Sequence, residues 1–130
     1  LHRLIRRQRQ MCIRDSYNRL STFGSGSLVV HFGIVKPVVE ERRTKGIQFT
    51  QEGDLKREME DLEAELRKKW DGIKDVLFIR RMGNLHIGDI ILVAAISASG
   101  RESAFGACRE AVEKFKKLKC IRKRELFEKF

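Results

Sequence analysis

The chain is poor in cysteine, histidine and proline, and it has no long apolar run. Its three cysteines show neither metal-ligand spacing nor a disulfide pattern, so we predict no metal site and a reducing, cytoplasmic setting. No apolar stretch approaches the ~18 residues of a membrane span. The sequence contains no phosphate-binding glycine loop and no zinc-protease motif. Because it has only three histidines, we do not expect acid–base catalysis by histidine.

Positive charge is what the chain has in excess. Its 28 lysines and arginines outnumber 18 acidic residues, for a formal net charge of +10. A nucleic-acid-binding module is therefore one alternative, but charge alone gives only non-specific affinity. Because the predicted strands carry no exposed aromatic stacking platform, we expect no specific nucleic-acid partner.

The first sixteen residues form a basic segment that we predict to be non-native. The run RQRQMCIRDS resembles a translated sequencing adapter, and the segment has no signal-peptide hydrophobic region. We therefore expect residues 17–130 to form a single domain whose natural N-terminus is missing. The alternative is a natural basic arm that binds nucleic acid or an anionic surface.

Hydrophobic periodicity predicts an α+β domain. Strands are predicted at residues 27–35, 46–50, 75–80, 89–97 and 120–126, and helices at 54–70 and 102–118. The third and fourth strands are joined too briefly for a parallel crossover, so they should be antiparallel. The expected architecture is a mostly antiparallel sheet with two main helices packed on it.

The predicted helices carry capping signals. Asp54 is a candidate N-cap of the first helix, and Ser99 with Glu102 has capping-box spacing at the second. Residues 40–45 are polar and predict a mobile loop. The second helix is expected to bury a stripe made of Phe105, Cys108, Val112 and Phe115.

Cations in the last third of the chain are the candidate chemistry. Arg101 opens the second helix, Lys116 lies near its end and Lys123 follows in the last strand, so the three can converge on one anion. Lys116 borders the apolar stripe, and a partly desolvated lysine can act as a base or nucleophile. From periodicity alone, however, lysines at a helix C-terminus are more simply surface charge. His31 is more simply a structural histidine, and His86 a surface polar residue of the hairpin.

Residues 26–126 resemble the catalytic (large) subunit of molybdopterin synthase. GSLVVHFGIVK is similar to the family's first core strand, and IRRMGNLHIGD to its HRxGxLxxGD hairpin. ASGRESAF is similar to its SAHRxxAF turn, and KKLKCIRKRE to its KxxxPxWKKE tail. Each motif is short, but their order and spacing together are specific to the family.

The resemblance implies an α/β-hammerhead fold and a cytoplasmic enzyme of molybdenum cofactor biosynthesis. Such a subunit usually forms a homodimer flanked by two small ubiquitin-like sulfur-carrier subunits, which makes a heterotetramer. The carrier's C-terminal Gly-Gly thiocarboxylate donates sulfur to cyclic pyranopterin monophosphate, and molybdopterin forms. No metal or organic cofactor is implied. The alternative is a non-catalytic family member that binds a ubiquitin-like tail or an anionic pterin.

The resemblance also implies site residues. Lys116 and Lys123 match the family's active-site lysines and are the implied catalytic residues. The implied substrate-binding residues are Arg101 of the SAHR turn, Lys36 at the end of the first strand, and Arg81 and Arg80 of the hairpin.

This sequence departs from the family's motifs at four positions. Gly100 and Arg80 replace the histidines that precede the two motif arginines, and Cys120 and Arg122 replace the proline and tryptophan of the tail. A pocket imidazole and an apolar wall are therefore expected to be missing, which indicates a divergent member.

Overall fold

The computed structural model describes residues 2–5, 20–39 and 42–127. These residues form eight strands and two helices. The strands are β1 His2–Ile5, β2 Ser27–Ile34, β3 Val38–Val39, β4 Arg42–Gln51, β5 Ile73–Arg81, β6 Gly83–His86, β7 Ile90–Ala98 and β8 Ile121–Phe127. The helices are α1 Leu55–Lys69 and α2 Arg101–Phe115.

The first sheet has the strand order β1–β5–β7–β2. β7 lies between β5 and β2 and is antiparallel to both, as the short connection predicted. Alternate residues of β5 and β7 are buried on opposite faces, because helices cover one face and a second cluster around Leu20 covers the other. The strand predicted at 89–97 is therefore an inner strand of this sheet.

The edge strand β1 lies within the segment that the sequence predicts to be non-native. Its backbone pairs in parallel with β5, with His2 opposite Phe78. Residues 6–19 lie outside the described part of the chain. The non-native origin of residues 1–16 stays a prediction.

The second sheet is built around β4, which pairs antiparallel with β3, β6 and β8. The chain enters this sheet directly from the first, because only Met82 separates β5 from β6. Gly83 follows with φ +96°, a backbone conformation that favours glycine. Sequence reasoning took residues 82–88 as a simple connection and missed β6, which is too short to show a period.

β4 is longer than the predicted strand at 46–50. It begins at Arg42, so the prediction of a mobile loop at residues 40–45 is wrong for residues 42–45. Thr44 is paired with Phe127 of β8, and this ladder holds a polar sequence in strand conformation. Residues 40–41 lie outside the described residues.

α1 begins as predicted. The Asp54 carboxylate accepts a hydrogen bond from the backbone N–H of Arg57 at 3.1 Å, which confirms the N-cap. Leu55, Met59, Leu62 and Leu66 form its buried face. These spacings of three and four residues are those that predicted the helix.

α2 differs from its prediction at both ends and along its buried face. Gly100 is its N-cap and makes no side-chain hydrogen bond, so the predicted capping box is wrong. The helix ends at Phe115, three residues before the predicted end. The buried face consists of Ala104, Ala107, Cys108, Ala111 and Phe115. Phe105 is 62% exposed, because it lies about 100° around the helix from Ala104.

Small residues bring α2 close to its neighbours. The Cys108 thiol donates to the carbonyl of Ala94 at 3.6 Å, across the alanine-rich contact between α2 and β7. Gly106 faces the indole of Trp70, and a methyl group at residue 106 would overlap that ring. Any larger residue there must displace the indole.

The architecture is an α+β fold of antiparallel sheets with two packed helices, which confirms the predicted fold class. Among the described residues, no helix is long and apolar enough to cross a membrane.

Candidate functional site

A cavity of about 480 Å³ lies where the two sheets meet the C-terminal end of α2. Its size falls in the range of small-molecule sites, ~300–1,000 Å³. Much of its wall is apolar and includes Ile47, Phe49, Leu92 and Phe115. Its titratable side chains are His31, Lys36, Arg80, Lys116, Lys123 and Glu125.

Lys123 reaches the cavity because β8 alternates. Ile121, Lys123 and Glu125 all line the cavity, because alternate residues of a strand share one face. The Lys123 ammonium lies 3.3 Å from a Glu125 carboxylate oxygen. In the ladder with β4, Lys123 stands directly opposite Phe49. A lysine and an aromatic ring therefore project from adjacent points of one sheet face.

Lys116 is placed by the end of α2. It is the C-cap residue and follows Phe115, which is 2% exposed. The Phe115 ring packs edge-on against Phe78, with 4.8 Å between centroids and 86° between planes. This anchor fixes where the helix ends, so Lys116 stands at a defined point of the cavity wall.

His31 also lines the cavity, and sequence reasoning favoured a structural role for it. Burial lowers the pKa of His31 below its usual 6.5, and the positive charge of Lys116 lowers it further. The imidazole is therefore neutral at neutral pH and can accept a proton. Strand alternation could have indicated this position for His31. His31 lies on the same face of β2 as Val29, and Val29 packs in the core beneath α2.

Arg80 is the most buried cation of the cavity, at 5% exposure. Its guanidinium carbon lies 4.2 Å from the centroid of the Phe49 ring. Burial lowers the pKa of Arg80 from the ordinary arginine value to about 10. Within residues 2–5, 20–39 and 42–127, no carboxylate pairs with Arg80 and its Nε has no hydrogen-bond acceptor.

Lys36 lines the cavity just beyond β2. The preceding residue, Val35, is 1% exposed and donates its N–H to the carbonyl of Asp89 at 3.0 Å. The carbonyl of Val35 accepts from Gly88 at 2.9 Å. These bonds tie the base of Lys36 to the turn before β7.

The other two predicted binding residues lie outside the cavity. Arg101 begins α2 and Lys116 follows its end, and at ~1.5 Å rise per residue the two are about 20 Å apart along the helix. The predicted convergence of Arg101 with Lys116 and Lys123 therefore does not occur within one chain. Arg81 points into its hairpin, where its Nη1 lies 3.5 Å from a carboxylate oxygen of Asp89.

The cavity has an excess of positive charge. Among the described residues that line it, Lys36, Arg80, Lys116 and Lys123 face a single acidic residue, Glu125. With His31 neutral, the excess is three charges, which suits an anionic ligand. No cluster of three potential metal-ligating side chains occurs in the described part of the chain.

The chain is similar to known proteins over most of its length. A family model described as MoaE protein matches residues 7–118. A molybdopterin synthase catalytic subunit from Drosophila willistoni is 29% identical over 117 residues, which cover 89% of this chain but only 32% of that protein. The chain thus spans about a third of the length of that curated relative.

Solved structures share the fold. Molybdopterin synthase from Staphylococcus aureus superposes with a TM-score of 0.87 at 22% identity, covering 98% of this chain and 91% of that one. A protein–protein complex of subunits 1 and 2 of molybdopterin-converting factor from Helicobacter pylori contains a chain that matches with a TM-score of 0.75 at 18% identity. That match covers 98% of this chain and 90% of the other.

Proposed function

The chain belongs to the MoaE protein family, and from this premise we propose that it catalyses sulfur transfer in molybdenum cofactor biosynthesis. The donor is the C-terminal Gly-Gly thiocarboxylate of a small ubiquitin-like carrier subunit. The acceptor is cyclic pyranopterin monophosphate, and the product after two transfers is molybdopterin. The protein acts in the cytoplasm as a homodimer with two carrier subunits.

One observation supports this proposal above the others. Lys116 and Lys123 come from different elements, yet both line one cavity with an excess of three positive charges. A thiocarboxylate and a cyclic phosphate each carry negative charge, and fixed ammonium groups stabilise both when they are brought together. The cavity therefore fits the charge of two anionic reactants.

We assign different tasks to the two lysines. Lys116 is the catalytic residue beside the acyl carbon, where it transfers protons as sulfur leaves the carrier. Lys123 orients the acceptor, because its ammonium is held by Glu125 at 3.3 Å. Lys36 and Arg80 bind the anionic groups. Arg81 supports the hairpin through Asp89, and the role of Arg101 stays a prediction from the resemblance.

The partner assignment rests on the family and on one structural relative. The Helicobacter pylori match is a chain in a complex of two subunits. A carrier that delivers sulfur on its C-terminal tail needs an opening beside the lysines. Since Lys116 and Lys123 are both exposed, a tail can reach them from solvent.

The proposal is tested by reconstitution. The purified protein, thiocarboxylated carrier and cyclic pyranopterin monophosphate should yield molybdopterin. Lys116→Ala should abolish product formation, whereas Lys117→Ala, which changes an exposed lysine outside the cavity, should not. Absence of product with the unmodified protein would refute the enzyme assignment.

Arg80 favours a second candidate, a non-catalytic member that binds the tail or the pterin. An unpaired buried guanidinium binds anions well but does not release or accept protons near neutral pH. If reconstitution gave no product while the protein still bound the carrier, this second function would replace the first.

A further inference from the structure

Arg80 is an exception to the rule that buried charges are paired. Removing a charge from water is costly, and folded proteins usually offset this with an ion pair and hydrogen bonds. Arg80 is 5% exposed, yet in the described part of the chain it has no carboxylate partner. The acidic residue of the cavity, Glu125, lies 3.3 Å from Lys123 instead.

The surroundings of Arg80 leave its donors available. The Phe49 ring lies against the guanidinium at 4.2 Å, a cation–π distance. A ring at this distance attracts the positive charge without supplying an oxygen acceptor for the N–H donors. Nε has no acceptor within the described residues, and Arg80 lines the cavity. A planar guanidinium with free edge donors matches a group that offers two oxygens side by side.

A second cation stands close to this arginine. Phe49 is directly opposite Lys123 across the β4–β8 ladder, so both side chains project from one sheet face at neighbouring points. Arg80, Phe49 and Lys123 therefore form a continuous strip of the cavity wall. The strip combines a bidentate guanidinium donor with the ammonium that Glu125 holds.

We propose that Arg80, whose guanidinium lies over the Phe49 ring and is flanked by Lys123, forms an oxyanion subsite in the wall of the cavity. Its ligand is a group with at least two equivalent oxygens, either a phosphate or a carboxylate. Identifying that group with a reactant rests on the proposed function, which supplies a phosphate on the pterin and a carboxylate on the spent carrier tail. Binding of a free oxyanion does not depend on that function.

The test uses inorganic phosphate with the full chain. Phosphate binding is measured by calorimetry and by the rise in melting temperature, in chloride buffers of constant ionic strength. Arg80→Met should weaken phosphate binding by about tenfold to a hundredfold, the effect of losing a charged hydrogen-bond pair. Arg124→Met is the matched control, because Arg124 is exposed and lies outside the cavity.

Two further arms identify the source of the oxyanion. A peptide that ends in Gly-Gly carboxylate is titrated in place of phosphate. If phosphate binding needs Arg80 and peptide binding does not, the subsite holds phosphate; the opposite pattern assigns it to the tail. Equal phosphate affinity in Arg80→Met and the unmodified protein, together with equal peptide affinity, would overturn the proposal.

Failure of the oxyanion subsite and failure of the proposed sulfur transfer give different results. A protein that binds phosphate through Arg80 but forms no molybdopterin keeps the subsite and loses the sulfur-transfer assignment. A protein that forms molybdopterin with Arg80→Met unaffected in both binding assays keeps the function and loses the subsite.

Discussion

Replacing Arg80 by methionine should stabilise the protein when no anion is bound. The substitution replaces the guanidinium side chain with a shorter apolar one and removes the charge of a residue that is only 5% exposed. Ligand-free stability and ligand affinity should therefore change in opposite directions, as at sites selected for binding.

The magnitude follows from the environment of Arg80. Burial lowers its pKa from the ordinary arginine value to about 10. At ~1.36 kcal/mol for each tenfold change in the protonation equilibrium, the charged form carries a penalty of about 3 kcal/mol. The cation–π contact with Phe49 stabilises the charged form by about 1–2 kcal/mol. Arg80→Met should therefore raise the free energy of unfolding by about 1–2 kcal/mol, which is about 5 °C in melting temperature.

The sign of the pH dependence is fixed as well. Arg80 is charged in both the folded and unfolded states below its folded-state pKa of about 10, so the penalty is fully present there. The penalty is relieved only as pH rises through that value towards the ordinary pKa of arginine. The difference between Arg80→Met and the unmodified protein should hence be constant across the neutral range.

Urea unfolding in chloride buffer free of phosphate and sulfate measures this difference. Arg124→Met is again the control and should change the free energy of unfolding by less than about 0.5 kcal/mol, as exposed substitutions do. If Arg80→Met were the less stable protein in this buffer, the guanidinium would be well satisfied in the ligand-free fold. The reasoning about an unpaired charge would then be refuted.

Three other substitutions give further checks. Gly106→Ala should destabilise the protein by about 1–2 kcal/mol despite the better helix propensity of alanine, because its methyl overlaps the Trp70 indole. Urea unfolding measures the loss, which should vanish in a Trp70→Leu background; persistence there would contradict the clash. His31→Gln should reduce the loss of melting temperature between about pH 7 and about pH 5, because an imidazole with lowered pKa costs stability as pH falls below 6.5. Identical pH profiles would contradict this. Glu125→Gln should bind phosphate several-fold more tightly at low salt, since it removes the negative charge beside Lys123. Unchanged affinity in a calorimetric titration would show that Glu125 does not oppose the ligand.

Strong periodicity made most of the fold predictable. α1 has four apolar residues at helical spacing and an aspartate at its start, and both features are found as predicted. α2 was harder because its buried face is largely alanine, which carries little hydrophobic signal, whereas the large Phe105 is exposed. β6 is stabilised by its backbone pairing with β4, which is distant in sequence. Four residues are too few to show a pattern that predicts such a pairing.

The candidate site was predictable only in part. Lys36, Arg80, Lys116 and Lys123 were identified from motif resemblance, and the structure brings all four to one cavity. Arg101 was predicted to join them, but the rise of α2 separates its ends. The participation of His31 depends on which strand lies beneath the end of α2. That information is topological, and local patterns do not contain it.

The passage of the chain from β5 to β6 has a mechanical consequence. Arg80 and β6 are separated by two residues, β6 is hydrogen-bonded to β4, and β4 is hydrogen-bonded to the strand that carries Lys123. The distance between Arg80 and Lys123 is thus set by backbone hydrogen bonds between strands rather than by the packing of core side chains. Substitutions in the core beneath α2 can alter stability while the two cations keep their separation. A one-residue insertion at Met82 would change the distance between Arg80 and Lys123 without removing either charge.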